Sequence, residues 1–182
     1  PNGDGIYVCT DAAADTLELA RLDVATGDVD RVESGGDWNV DAVTIHQETG
    51  RLAYTRNVEG YTEVTAGSVE GRTITDRTDL DIPTGVVGGM DFGPDAEQLA
   101  VSLTASTDTA NIHRFDVETG TRTRWTRAAT AGIPRDSFQE PDVVRFDTFD
   151  DRSIPALFTT PETASPPFPV IVDVHGGPES QR

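Results

Sequence analysis

Lysine is missing from this sequence: all 14 basic residues are arginine, set against 32 acidic ones, for a formal net charge of -18. So acidic a surface repels nucleic acid and anionic membrane, which excludes a polyanionic partner on electrostatic grounds. The acids are spread rather than clustered, and with the missing lysine they point to a salt-adapted cytoplasm, where molar salt screens the self-repulsion. Cysteine is reduced to Cys9, which has no partner for a disulfide or a zinc site and is expected as a buried strand residue. No run of about 18 apolar residues occurs, and the first residues lack a charged segment followed by an apolar one, so neither a membrane span nor a signal peptide is visible. The chain opens on Pro1 directly before a strand-like run, and a native start elsewhere is therefore expected. Hydrophobic content, at 36%, is low but still compatible with a folded core.

Sustained helical periodicity is also lacking. Up to about Trp125 the sequence is a succession of short alternating runs rich in Val, Thr, Ile and Tyr, punctuated by Gly and Asp, which is the pattern of an all-β region. These runs repeat. Gly5-Ile6-Tyr7-Val8, Arg51-Leu52-Ala53-Tyr54 and Gln98-Leu99-Ala100-Val101 stand 46 and 47 residues apart. A second phase matches Leu22 to Gly27 with Phe115 to Gly120, with Gly67 to Gly71 as a degenerate middle copy. Each is expected as a hairpin turn closing on a glycine of positive φ. A third phase pairs Val43-Thr44-Ile45 with Met90-Asp91-Phe92, each followed by a turn. About four strands per period is the content of a propeller blade, and about two and a half blades fit in the chain. A propeller needs more blades to close, so a fragment with open sheet edges, folding poorly alone, is expected.

The repeat lapses between Ala128 and Pro141, a Pro-, Gly- and Ala-containing stretch that reads as a connection between domains. Val143 to Phe149 then alternates as a strand, Asp150 to Ser153 makes a turn, and Ile154 to Thr160 forms an antiparallel mate. A proline-rich loop from Pro161 to Pro169 leads into Val170-Ile171-Val172-Asp173-Val174. That nearly continuous β-branched run is the mark of a strand covered on both faces of an α/β sheet. It runs directly into His175-Gly176-Gly177-Pro178.

A His-Gly-Gly-Pro string has a chance expectation of about one or two in a thousand over a chain of this composition. In α/β-hydrolases the loop leaving the third strand supplies one backbone N–H to the oxyanion hole, and glycine lets the bare peptide approach the substrate carbonyl. The N–H of Gly177 is the first choice as donor and that of Gly176 the second, while His175 orients the loop. The bland alternative is a tight turn whose glycines serve only their dihedrals.

Val170 to Gln181, reading VIVDVHGGPESQ, resembles the start of the catalytic domain of the prolyl oligopeptidase family, particularly its acylaminoacyl-peptidase branch. Asp147 to Ala156 is similar to the hairpin that opens that domain. The resemblance implies a mainly β chain: a partial propeller over 1–127, a connection over 128–141, and over 142–182 the first strands of an α/β-hydrolase domain, truncated before its nucleophile. It implies a serine peptidase acting on short peptides by acyl transfer, with the propeller gating access and no cofactor or metal. No Gly-x-Ser-x-Gly elbow occurs, so the triad Ser, Asp and His are expected beyond Arg182 and the chain alone is expected to be inactive. Two other readings share these features in part: a non-catalytic propeller that binds a protein or peptide, and an esterase of the α/β-hydrolase fold.

Other chemistry-bearing residues read as structural. Ser180 lacks the flanking glycines of a nucleophile elbow. His46 and His113 fall in a turn and a strand of separate repeats without metal-ligand spacing. Asp150-Asp151 suits turn geometry, and Trp38 and Trp125 are expected to pack in the core or between blades. Asp173, if buried, needs a hydrogen-bonding or arginine partner, for which Arg182 is one choice.

Overall fold

The computed structural model describes residues 3–161 and 165–174. Three antiparallel sheets follow one another along the chain. The first holds β1 (Gly5–Thr10), β2 (Glu18–Asp23) and β3 (Val29–Glu33). The middle one holds β4 (Val40–Ile45), β5 (Arg51–Val58), β6 (Tyr61–Glu70) and β7 (Thr73–Asp79), and the third β8 (Val86–Phe92), β9 (Gln98–Ala105), β10 (Asp108–Asp116) and β11 (Arg122–Arg124). Within each sheet every strand pairs with its sequence neighbour, the up-and-down order of short hairpins. The 46- and 47-residue spacing lands on β1, β5 and β9, which are matching strands, so the first sheet lacks the counterpart of β4 and β8 among the described residues.

The first and third sheets share one turn chemistry. Asp23 and Asp116 occupy the same place at the ends of β2 and β10. Asp23 Oδ1 accepts the backbone N–H of Ala25 at 2.9 Å and of Thr26 at 3.0 Å, and Asp116 Oδ1 accepts that of Thr119 at 2.8 Å. Those bonds hold both carboxyls below the usual carboxylate range. Gly27 and Gly120 then close the turns at φ 79° and 68°, a region that costs other residues strain, and their N–H groups return to the carbonyls of Asp23 and Asp116 at 2.9 Å.

The sheets stack face to face, and the middle one is covered on both sides. Leu52 and Tyr54 of β5 pack into a cluster with Leu19, Val40 and Ile74, which joins the first sheet to the middle one. Ala53, between them in sequence and so on the opposite face, packs with Val64, Ala66, Leu99, Val101 and Phe115, which joins the middle sheet to the third. Alternation of polar and apolar residues accordingly disappears from β5, where residues 52–55 are all buried. Gly35, in the passage from the first sheet to β4, and Gly85, in the passage to β8, allow the close approach. A Cβ on them would stand 1.8 Å from the Trp38 carbonyl oxygen and 2.3 Å from that of Thr104.

Beyond the stack, a two-stranded hairpin of β12 (Asp142–Asp147) and β13 (Ser153–Phe158) forms where the alternation places it. Asp151, at φ 60°, sits in its turn. Phe146 and Phe158 are more than half exposed. Three expectations are corrected. Val170 to Val174 forms no strand: its four apolar residues are 79–92% exposed, because no described strand offers it a hydrogen-bonding ladder. Trp125 is 58% exposed, since it follows the edge strand β11 and no described element covers it. Cys9 is half-buried rather than buried.

Phe115 is the largest fully buried side chain, and Phe115→Ala should cost about 3–5 kcal/mol and lower the midpoint of a urea titration followed by circular dichroism.

Candidate functional site

The sequence-predicted oxyanion residues His175, Gly176 and Gly177 lie outside the described residues, as do Ser180 and Arg182. The structure instead describes what leads to them. Buried Asn111 on β10 anchors the segment that leaves the third sheet: its Oδ1 accepts the Ala128 N–H at 2.8 Å and the Thr126 hydroxyl at 3.1 Å. Arg135, the first residue of a single 3-10 turn at Arg135–Ser137, donates to the Ala128 carbonyl at 2.5 Å and pairs with Asp108. The stretch from Ala128 to Arg135 is thus fastened to the third sheet at both of its ends. Further on, Arg145 of β12 pairs with Glu59 in the β5–β6 turn, and burial together with the charge of Glu140 pushes the Tyr61 phenol upward.

The same pinning builds a cavity of about 480 Å³ against the third sheet. Antiparallel register puts Arg124 opposite His113 and Arg122 opposite Phe115, so these side chains share the face that Phe115 turns toward the middle sheet. Arg135 comes in from the connection, Asp108 and Thr109 from the start of β10, and Pro83, Leu103 and Ala105 supply an apolar wall. Asp108 bridges two guanidiniums, reaching Arg124 at 2.6 Å with one oxygen and Arg135 with the other. Burial works against its charge, but the two arginines prevail and hold its carboxyl below the usual range.

His113 is only 7% exposed. Burial first, then the charges of Arg122 and Arg124 across the strand pair, depress its pKa, against a smaller opposing effect of Asp108. Its Nδ1, the Nη2 of Arg124 and the hydroxyl of Thr109 are buried without a hydrogen-bond partner among the described residues. Each such group costs about 1–3 kcal/mol when left unpaired. His46, by contrast, is satisfied in its turn, with Nδ1 3.0 Å from the Thr49 hydroxyl. Among the described residues no group of His, Cys, Asp and Glu is placed to hold a metal, and no helix is long and apolar enough to cross a membrane. The arginine cavity was not foreseen from sequence, because its cations come from two separate segments that only strand register and the pinned connection bring together.

No protein-family model and no curated protein matches the sequence. Solved structures do. A structure from a study of two prolyl endopeptidases, concerned with inter-domain dynamics in catalysis and specificity, superposes with a TM-score of 0.69 at 18% identity, over 85% of this chain and 23% of that one. Prolyl oligopeptidase B from Galerina marginata, bound to a 35mer hydrolysis and macrocyclization substrate, gives 0.68 at 15% identity over 85% and 22%, and its apo form gives 0.66. The chain therefore spans less than a quarter of the structures it matches, and the likeness is one of fold: stacked antiparallel sheets in line with the propeller-like domain of prolyl oligopeptidases.

The depressed His113 has a consequence for stability. Its ordinary pKa is 6.5, so as pH falls below about that value an unfolded chain takes up a proton that the folded ring resists. The stability contributed by the neutral ring is complete above the unfolded value and is lost as pH falls through the folded one. Urea midpoints measured between pH 7.5 and pH 5 should drop in the unaltered protein, and His113→Gln should flatten that part of the profile.

Proposed function

We propose that this chain is the last part of a β-propeller joined to the opening of an α/β-hydrolase domain in a serine peptidase of the prolyl oligopeptidase type, with the acylaminoacyl-peptidase branch as the finer assignment. The observation that carries the reading is the order of elements. Repeated antiparallel sheets with the fold of prolyl oligopeptidases lead through a pinned connection to a hairpin, then to a β-branched run and His-Gly-Gly-Pro. Residues 1–127 are the propeller part, 128–141 the connection and 142–182 the start of the hydrolase domain. The exposure of Val170 to Val174 fits a segment whose sheet neighbours are strands still to come.

On this reading the nucleophilic serine follows Arg182. Its Oγ attacks the scissile carbonyl of a short peptide while a histidine takes its proton; the amine then leaves carrying that proton, and water releases the acyl group in a second round. Gly177, with Gly176 as the alternative, directs its N–H at the oxyanion, a second N–H comes from the residue after the serine, and His175 holds the loop. The stacked sheets limit entry to short chains; the Galerina marginata structures with a bound 35mer are relatives in fold that accept a peptide. We assign the acidic, lysine-free surface to a salt-rich cytoplasm. A melting temperature that climbs from low to molar KCl is the expected behaviour, and a flat or falling one would remove that assignment.

A fluorophosphonate probe applied to the full-length protein should label one serine in a Gly-x-Ser-x-Gly sequence, and mutation of that serine to alanine should abolish labelling. Gly177→Pro, which removes the N–H, should lower the turnover of a short blocked peptide about 10²–10³-fold. If neither such a serine nor labelling is found, a binding propeller becomes the better account. If short esters are cleaved in preference to peptides, the esterase reading does.

A further inference from the structure

We infer that the cavity between β10, β11 and the connection binds a small organic dianion, a phosphate ester or a dicarboxylate, through Arg122, Arg124 and Arg135. The inference is independent of the peptidase reading. Three of the chain's 14 arginines converge on this one cavity, although the chain as a whole is strongly acidic and its other arginines mostly pair one to one with carboxylates. Here the ratio is broken. Asp108 is the one carboxylate in the lining and neutralises one of the three guanidinium charges, leaving two positive charges beside an open volume.

Hydrogen-bonding groups are left over as well. Arg122 makes no ion pair among the described residues, and Arg124 keeps Nη2 buried and unpaired after satisfying Asp108 and the Thr126 carbonyl. The Thr109 hydroxyl and the Nδ1 of His113, a side chain more than nine-tenths buried, are unpaired in the same lining. An oxyanion in the open volume answers the exposed, unpaired guanidinium of Arg122 directly and the charge of Arg124 and Arg135 at close range, since guanidinium forks match carboxylate and phosphate oxygens in pairs. A metal does not, because the single carboxylate is already clamped between arginines. Two uncompensated charges call for a dianion, and the Pro83, Leu103 and Ala105 wall gives a short carbon skeleton an apolar side to lie on.

Calorimetric titration of the full-length protein, at the lowest KCl concentration at which circular dichroism shows it folded, with inorganic phosphate in one arm and succinate in the other, tests this. Saturable one-to-one binding is expected. Arg122→Gln should weaken it about tenfold, the loss of one charge-assisted hydrogen bond, while Arg152→Gln in the β12–β13 turn, an arginine outside the cavity, should leave it unchanged. Binding in the phosphate arm alone assigns a phosphate headgroup, and in the succinate arm alone a carboxylate. Should Arg122→Gln fold poorly, ligand-dependent movement of the His113 ring resonances in the unaltered protein reads the same site. Absence of saturable binding in both arms, equal weakening by Arg152→Gln, or displacement by an equal concentration of chloride overturns the proposal.

Discussion

Everything else in this structure depends on the burial of the middle sheet from both sides. An antiparallel sheet with one wet face is readily satisfied by a single partner layer, but Leu52, Ala53, Tyr54 and Thr55 are consecutive and all buried, so this one needs a neighbour on each face. The first sheet supplies Leu19 and the third supplies Leu99, Val101 and Phe115. Dispersion and transfer energies both scale with such contact, so the stack is stabilised chiefly at its two inter-sheet seams. Small residues set how close the seams come. Ala53 faces Ala66 across the β5–β6 ladder, leaving room for the ring of Phe115 from the next sheet.

Charge works at the periphery of the same seams. Arg72 reaches Asp30 at 2.7 Å and Arg77 reaches Glu33, each joining β7 or its turn to β3 of the first sheet, and the Tyr7 hydroxyl donates to the Gly71 carbonyl at 2.7 Å. Ion pairs this exposed contribute little energy individually. Their effect is on alignment: the outer strands, which have less apolar contact than the inner ones, are held at the correct offset. In a chain with more than two acids for each arginine, a guanidinium spent at a seam is one withheld from the rest of the surface, and the cavity beside His113 stands out against that scarcity.

The fold was legible in the sequence wherever local chemistry decides it. Asp23 and Asp116 with Gly27 and Gly120 announce hairpins because the side-chain caps and the positive φ act within a few residues. The β12–β13 hairpin was legible for the same reason. What depends on distant partners was not. The β-branched run from Val170 has every local property of a buried strand and forms none here, since a strand is a relation between segments. Trp125 reads as a core residue by size, yet its exposure is settled by its place after an edge strand. The candidate oxyanion loop was read from its glycines and its position after that run, whereas the arginine cavity, assembled by register, carries no motif at all.

The hydrogen bonds of Asn111 and Arg135 to the segment that leaves the third sheet bear on how the two halves of the chain meet. A free tether of that length would let the following hairpin sweep a large volume, and its docking would have to offset the entropy of that search. Fastened at Ala128 and again at Arg135, the segment has a contour only a few residues long, so the hairpin is presented at high effective concentration to the β5–β6 turn. A single exposed contact such as Arg145 with Glu59 then suffices to bias its orientation, which an untethered partner could achieve only through a large interface.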